Sequence, residues 1–135
     1  MLKLVADVNC EGYVRDLLAI ARNGNLNEFV EFLDIKLLTF SDLGLAENAN
    51  DRLVWETLQH NQAILLTNNR NHKGRQSLQG TIAKFNTLEK LPVVTLSNSG
   101  RIYADRHYAM LVAQKLIEVL IDIERHRGAG RLYIP

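Results

Sequence analysis

Asp7, Asn9, Asp42, Asp51, Asn69 and Asn71 each fall just after an apolar run or at the start of a helical pattern. Mg²⁺ and Mn²⁺ take oxygen ligands, usually one or two carboxylates with water and substrate phosphate completing the shell. A small set of Asp and Asn is therefore chemically competent to hold one hard cation, while a second cation would require more negative charge. Asp7 stands out because it ends a buried apolar run, and a carboxylate there is desolvated unless something pairs with it. Asp51 has a competing role as a helix cap, and Asp42, an outer candidate, has one as a solvated loop residue. The catalytic candidates are Asp7, Asp51 and Asn69, and the metal ligands are Asp7, Asp51 and Asn9.

A second cluster follows at once. Arg70-Asn71-His72-Lys73-Gly74-Arg75 is basic and free of acid, and it sits next to the Asp/Asn set in the sequence. Arg offers a bidentate fork and Lys a point charge to a phosphate backbone, so Arg70, Asn71, His72, Lys73 and Arg75 are the nucleic-acid-binding candidates. An ordinary solvated loop has the same composition. His72 is the one group here suited to general acid chemistry.

The elements that must position these residues can be read from periodicity. Leu2 to Ala6 is a short apolar run, a strand that delivers Asp7 at its C-terminal end. Val14, Leu17, Leu18 and Ala21 recur at helical spacing before Gly24, and Leu26, Phe29, Val30 and Leu33 repeat it. Ile35 to Phe40 reads as a second strand. Asn50 or Asp51 caps a helix through Leu58, and Ala63 to Thr67 is a third, buried strand. After the polar segment 68–79, Thr81 to Phe85 reads as helical, Pro92 to Leu96 as a strand, and Asn98-Ser99-Gly100 as a turn. A long helix is expected from about Asp105 to Glu124, broken by Gly128 and Gly130 and followed by a terminal extended piece, 131–135. Alternating strands and helices predict an α/β fold with a central, mainly parallel sheet flanked by helices, with ligands at the carboxyl ends of the strands.

Composition narrows the class. The 135 residues, 47% hydrophobic and 23% charged, suit one folded domain, 1–135, and exclude a disordered chain. No stretch is long enough to cross a bilayer and none resembles an export signal. A lone cysteine, Cys10, forms no internal disulfide and no zinc knuckle, so a reducing cytoplasm is the expected location and packing the expected role. The net charge of +1 is too small for a polycation, yet residues 1–56 hold ten Asp/Glu against five Lys/Arg, whereas 57–88 hold four Lys/Arg and no acid. Nucleophile elbows, Walker loops and dinucleotide loops are absent, and Trp55 beside Val54 and Leu58 reads as core.

Ala6-Asp7-Val8-Asn9, Ser41-Asp42-Leu43-Gly44-Leu45 leading to Asn50-Asp51, and Ile64-Leu65-Leu66-Thr67-Asn68-Asn69-Arg70-Asn71 together resemble the small PIN-like proteins of bacteria over about the first seventy residues. The resemblance implies a PIN-like three-layer fold, Mg²⁺ or Mn²⁺ as cofactor and RNA hydrolysis as activity. It also implies a toxin-like setting with a small antitoxin-like protein partner; the composition itself suits a chain that folds alone or as a small oligomer such as a homodimer. The third motif departs from the family. Asn69 and Asn71 stand where that family has aspartates, which keeps an oxygen donor but removes charge that a dication needs. Two functions follow: a metal-dependent endoribonuclease with a depleted acidic site, or an inactive PIN-like module that binds nucleic acid or a protein partner.

Overall fold

A computed structural model describes residues 1–69 and 77–135. Apolar runs and amphipathic stretches alternate along the chain, and each takes the form its pattern dictates. The strands are β1 (Leu2–Ala6), β2 (Ile35–Leu38), β3 (Ala63–Thr67), β4 (Val93–Leu96) and β5 (Arg131–Ile134). The helices are α1 (Glu11–Asn23), α2 (Asn27–Leu33), α3 (Asp51–His60), α4 (Leu78–Phe85), α5 (Ser99–Ala104) and α6 (Arg106–Ile121). Five strands form one parallel sheet in the order β2-β1-β3-β4-β5.

Side-chain alternation divides the core between the two faces of this sheet. Leu4, Ala6, Ile64, Leu66, Val94 and Leu96 meet α1 and α6 on one side, where Val14, Leu17, Val112 and Leu116 are buried. Val5, Ala63, Leu65 and Val93 meet α3 and α4 on the other, against Val54, Trp55, Leu58 and Ile82. The chain is thus a three-layer α/β fold. Trp55 is core, 3% exposed. Among the described residues no helix is long and apolar enough to cross a membrane.

Several boundaries differ from the sequence reading, each for a local reason. The second strand stops at Leu38, because Phe40 to Gly44 folds into a 3-10 turn closed by Gly44 in the left-handed region. Asn98-Ser99-Gly100 is not a turn: Asn98 accepts from the Arg101 amide and starts α5. Asp105 caps α6, which ends at Ile121 and passes into a 3-10 turn over Ile123–His126. The helix read from Thr81 begins at Leu78, because Ser77 accepts from the Gly80 amide. The terminal extended piece becomes a full strand, with Val93, Val94, Thr95 and Leu96 aligned to Arg131, Leu132, Tyr133 and Ile134.

Gly130 makes that last strand possible. Its φ is +81°, and a Cβ added there meets Ile82 Cγ2 at 3.0 Å. Gly130→Ala is expected to cost about 1–3 kcal/mol, combining the left-handed backbone with a clash against α4. Urea unfolding measures it, and an unchanged midpoint would show that β5 is not docked through this turn.

Candidate functional site

The strand order reverses direction between β1 and β3. From β1 the chain goes out to β2, then returns to the other side of β1 as β3. At such a switch point the loops leaving the two strands diverge to opposite faces, and a crevice opens at their carboxyl ends. Ala6 is aligned with Leu66, so Asp7 and Thr67 leave the sheet side by side.

Asp7 is held from two directions. Its Oδ1 accepts from the Val8 amide at 2.7 Å, starting the 3-10 turn Val8–Cys10, and its Oδ2 accepts from the Thr67 hydroxyl at 2.7 Å. Thr67 is fully buried, and its Oγ1 also accepts from the Asn69 amide at 3.0 Å. One hydroxyl therefore fixes both the carboxylate after β1 and the chain after β3.

Asp51 arrives from α3, which packs on the sheet face carrying Val5 and Leu65. Asn50 caps α3 by accepting from the Leu53 amide at 2.8 Å, which leaves the Asp51 carboxylate for tertiary contacts. Asp51 Oδ2 accepts from the Leu78 amide at 3.0 Å and from Asn69 Nδ2 at 3.3 Å. Asp7, Asn9, Asp51 and Asn69 line one cavity of about 330 Å³, together with Asn68 and Glu47. No family model matches this sequence, and no curated protein or solved structure matches it significantly. The chemistry of the cavity therefore has to be argued from its own residues.

Three carboxylates, Asp7, Glu47 and Asp51, face the cavity, with no Lys or Arg among its described lining residues. Among the described residues no three Asp, Glu, His or Cys side chains are grouped as a self-sufficient metal set. A carboxylate offers about four lone-pair positions, and the hydrogen bonds above take two each at Asp7 and Asp51. The donor set thus fits one hard cation held by Asp7 and Asp51, completed by an oxygen of Asn9, water and phosphate. Asn69 turns its side-chain N–H to Asp51 and acts towards that carboxylate as a hydrogen-bond donor.

Asp42 lies apart from this cavity. Its Oδ2 accepts from the Thr39 amide at 2.8 Å in an exposed loop, which holds its carboxyl below the usual range. Arg70, Asn71, His72, Lys73 and Arg75 lie outside the described residues. Two contributors escaped the sequence reading. Glu47 sits in the loop before α3, with no periodic signal to single it out. Arg131 is in β5, yet it donates through Nη1 to the Asn69 carbonyl at 2.6 Å and to Thr95 Oγ1 at 3.0 Å, and through Nε to Gln79 Oε1 at 3.1 Å. Burial pushes its guanidinium below its usual value, opposed by Tyr133 and by the Asp51 carboxylate. An arginine stays protonated regardless, so it places a fixed positive charge behind Asn69.

Cys10 is fully buried at the start of α1, and burial first, then the Asp7 charge, pushes its thiol up to about 12. Because the thiolate is the reactive form, the native protein is expected to resist iodoacetamide at pH 8 and to react only once unfolded. Rapid alkylation of the folded chain, read by mass spectrometry, would contradict this placement. Thr67→Val keeps the shape of the side chain but strands the Asp7 oxygen and the Asn69 amide. It is expected to lower unfolding free energy by about 1–3 kcal/mol, as measured by urea denaturation.

Proposed function

We propose that this chain is a PIN-like domain protein that binds one Mg²⁺ or Mn²⁺ between Asp7 and Asp51 and acts on RNA as a weak metal-dependent endoribonuclease. One observation carries the reading: two carboxylates far apart in the chain, one after β1 and one opening α3, line the same small polar cavity at the switch point of the sheet. A bound dication would polarise a phosphoryl oxygen and lower the pKa of a coordinated water. Asp7 and Asp51 would hold it, Asn9 would add an oxygen, and Glu47 would raise the local negative potential. The segment Arg70 to Arg75 follows Asn69 directly and supplies the phosphate contacts of this proposal. A cytoplasmic setting and a small antitoxin-like partner belong to the same reading.

A specific contact favours the second reading, an inactive PIN-like module that binds nucleic acid or a protein partner. The Asn69 amide already donates to Asp51 and so partly satisfies the charge that a cation would neutralise. Metal binding separates the two. A ligand that binds only the folded state raises the thermal midpoint. Mn²⁺ is expected to do so for the wild type at millimolar concentration, and Asp7→Asn is expected to abolish the shift. No stabilisation by Mn²⁺ at any concentration would leave the module reading.

Asn69→Asp gives an orthogonal test. The new carboxylate would stand against Asp51 where the amide now donates at 3.3 Å. Like charges at that separation repel, and a dication relieves the repulsion. The variant is expected to melt below wild type in EDTA and to show a larger Mn²⁺ shift, increased further by Asn71→Asp. An unchanged Mn²⁺ affinity would mean that this position does not face the cation.

A further inference from the structure

Tyr103 of α5 lies over Tyr13 of α1 in a stacked pair, with ring centroids 4.6 Å apart and planes 25° from parallel. Tyr13 is the inner ring, packed against the core, while Tyr103 is 63% exposed. Two features show that this pair is built in. Position 12 of α1 is glycine, and a Cβ there would come within 3.1 Å of the Tyr103 hydroxyl. The helix α5 also has its own anchors, Ile102 at 5% exposure and the Asn98 cap, so the outer ring is not needed to bury this segment.

A cleft of about 340 Å³ opens beside the outer ring, lined by Asp16, Ile20, Asn23, Ile102, Tyr103 and Arg106. The Tyr103 phenol donates a hydrogen bond to Asp16, so the rim has mixed charge: exposed Arg106 lines the cleft, and exposed Arg15 is within electrostatic reach of the same phenol. The helices that carry the pair connect to residues of the acidic cavity. Tyr13 lies about one helical turn beyond Asn9, and Asn68, which lines that cavity, donates to the Ser99 hydroxyl at the start of α5 at 3.3 Å. An exposed aromatic face with polar groups and arginines at its rim matches the chemistry of an unpaired nucleobase and its phosphates. Base stacking is open to any base, and arginine supplies backbone contacts. A base paired inside a duplex cannot present its face in this way.

The geometry points to Tyr103, stacked on Tyr13, as a platform for an unpaired base, with Arg15 and Arg106 contacting the adjoining phosphates of a single strand. This names the substrate class of the site and rests on the nuclease reading above, but it can be tested without metal or cleavage. The full chain is titrated against a short labelled oligoadenylate and against the matching duplex, in EDTA at low salt, with fluorescence anisotropy as readout. The single strand is expected to bind more tightly than the duplex. Tyr103→Ala should weaken single-strand binding about tenfold while duplex binding stays constant. Tyr103→Phe, which keeps the ring, should bind like wild type. Tyr103→Leu retains an apolar contact with Tyr13 but no aromatic face, and should lose as much affinity as alanine. Arg106→Gln should flatten the salt dependence. Circular dichroism melting checks that each variant is folded. Wild-type affinity in folded Tyr103→Leu, or no oligonucleotide binding by the wild type, would overturn the platform. If the platform fails while Mn²⁺ still stabilises the chain, the cation reading stands. If single strands bind through Tyr103 and Mn²⁺ has no effect, the nuclease reading falls and the platform remains.

Discussion

The hydrogen bond from Thr67 to Asp7 is the constraint on which the rest of the site depends. Thr67 is the last residue of a strand buried along its whole length, and its hydroxyl has no water to turn to. A buried hydroxyl without a partner costs free energy on the order of 1–3 kcal/mol, and the half-buried Asp7 carboxylate beside it satisfies it. The pairing also sets direction. With Ala6 aligned to Leu66, it fixes where the chain leaves β1, and by accepting from the Asn69 amide it fixes where the chain leaves β3.

Around that point a second layer forms from distant parts of the chain. Asp51 on α3 ties to the first amide of α4 and to Asn69, and Arg131 on β5 ties to the Asn69 carbonyl. Asn69 is thus gripped at backbone and side chain by groups of opposite charge. An aspartate in its place would keep the backbone contact with Arg131 but would turn the contact with Asp51 from attraction to repulsion. Asn69 therefore helps to hold the pocket together through a contact that an aspartate could not make.

The helices on the α1 side extend the same edge of the sheet in a different chemical direction. Asn9 and Asn68 line the acidic cavity, yet the first leads into the helix bearing Tyr13 and the second bonds to the helix bearing Tyr103. The acidic crevice is thus tied, through α1 and α5, to the helices that carry the stacked rings.

Much of this was legible in the amino-acid sequence alone, because it is local. The apolar run Leu2–Ala6 ending on Asp7, the spacing of Val14, Leu17, Leu18 and Ala21, and the run Ala63–Thr67 each carry their own periodicity, and alternation of such elements determines a parallel sheet with its site at the carboxyl ends. Asp7, Asn9, Asp51 and Asn69 could be named for the same reason: each follows a strand or begins a helix. Other features depend on contacts between residues far apart in the chain, which no local pattern encodes. Asn50 caps α3 and Asp51 instead accepts from the amide of Leu78, whereas Asp42, identical in chemistry, stays in a local turn with Thr39. Glu47 enters the cavity through the path of an irregular loop. Arg131 looked like part of a tail, and became part of the site when Gly128 and Gly130 turned that tail into the fifth strand of the sheet. The sequence determined which elements form and which ends of them carry oxygen ligands; tertiary packing decided which of those ligands meet, because strand order and long-range hydrogen bonds are properties of the assembled sheet.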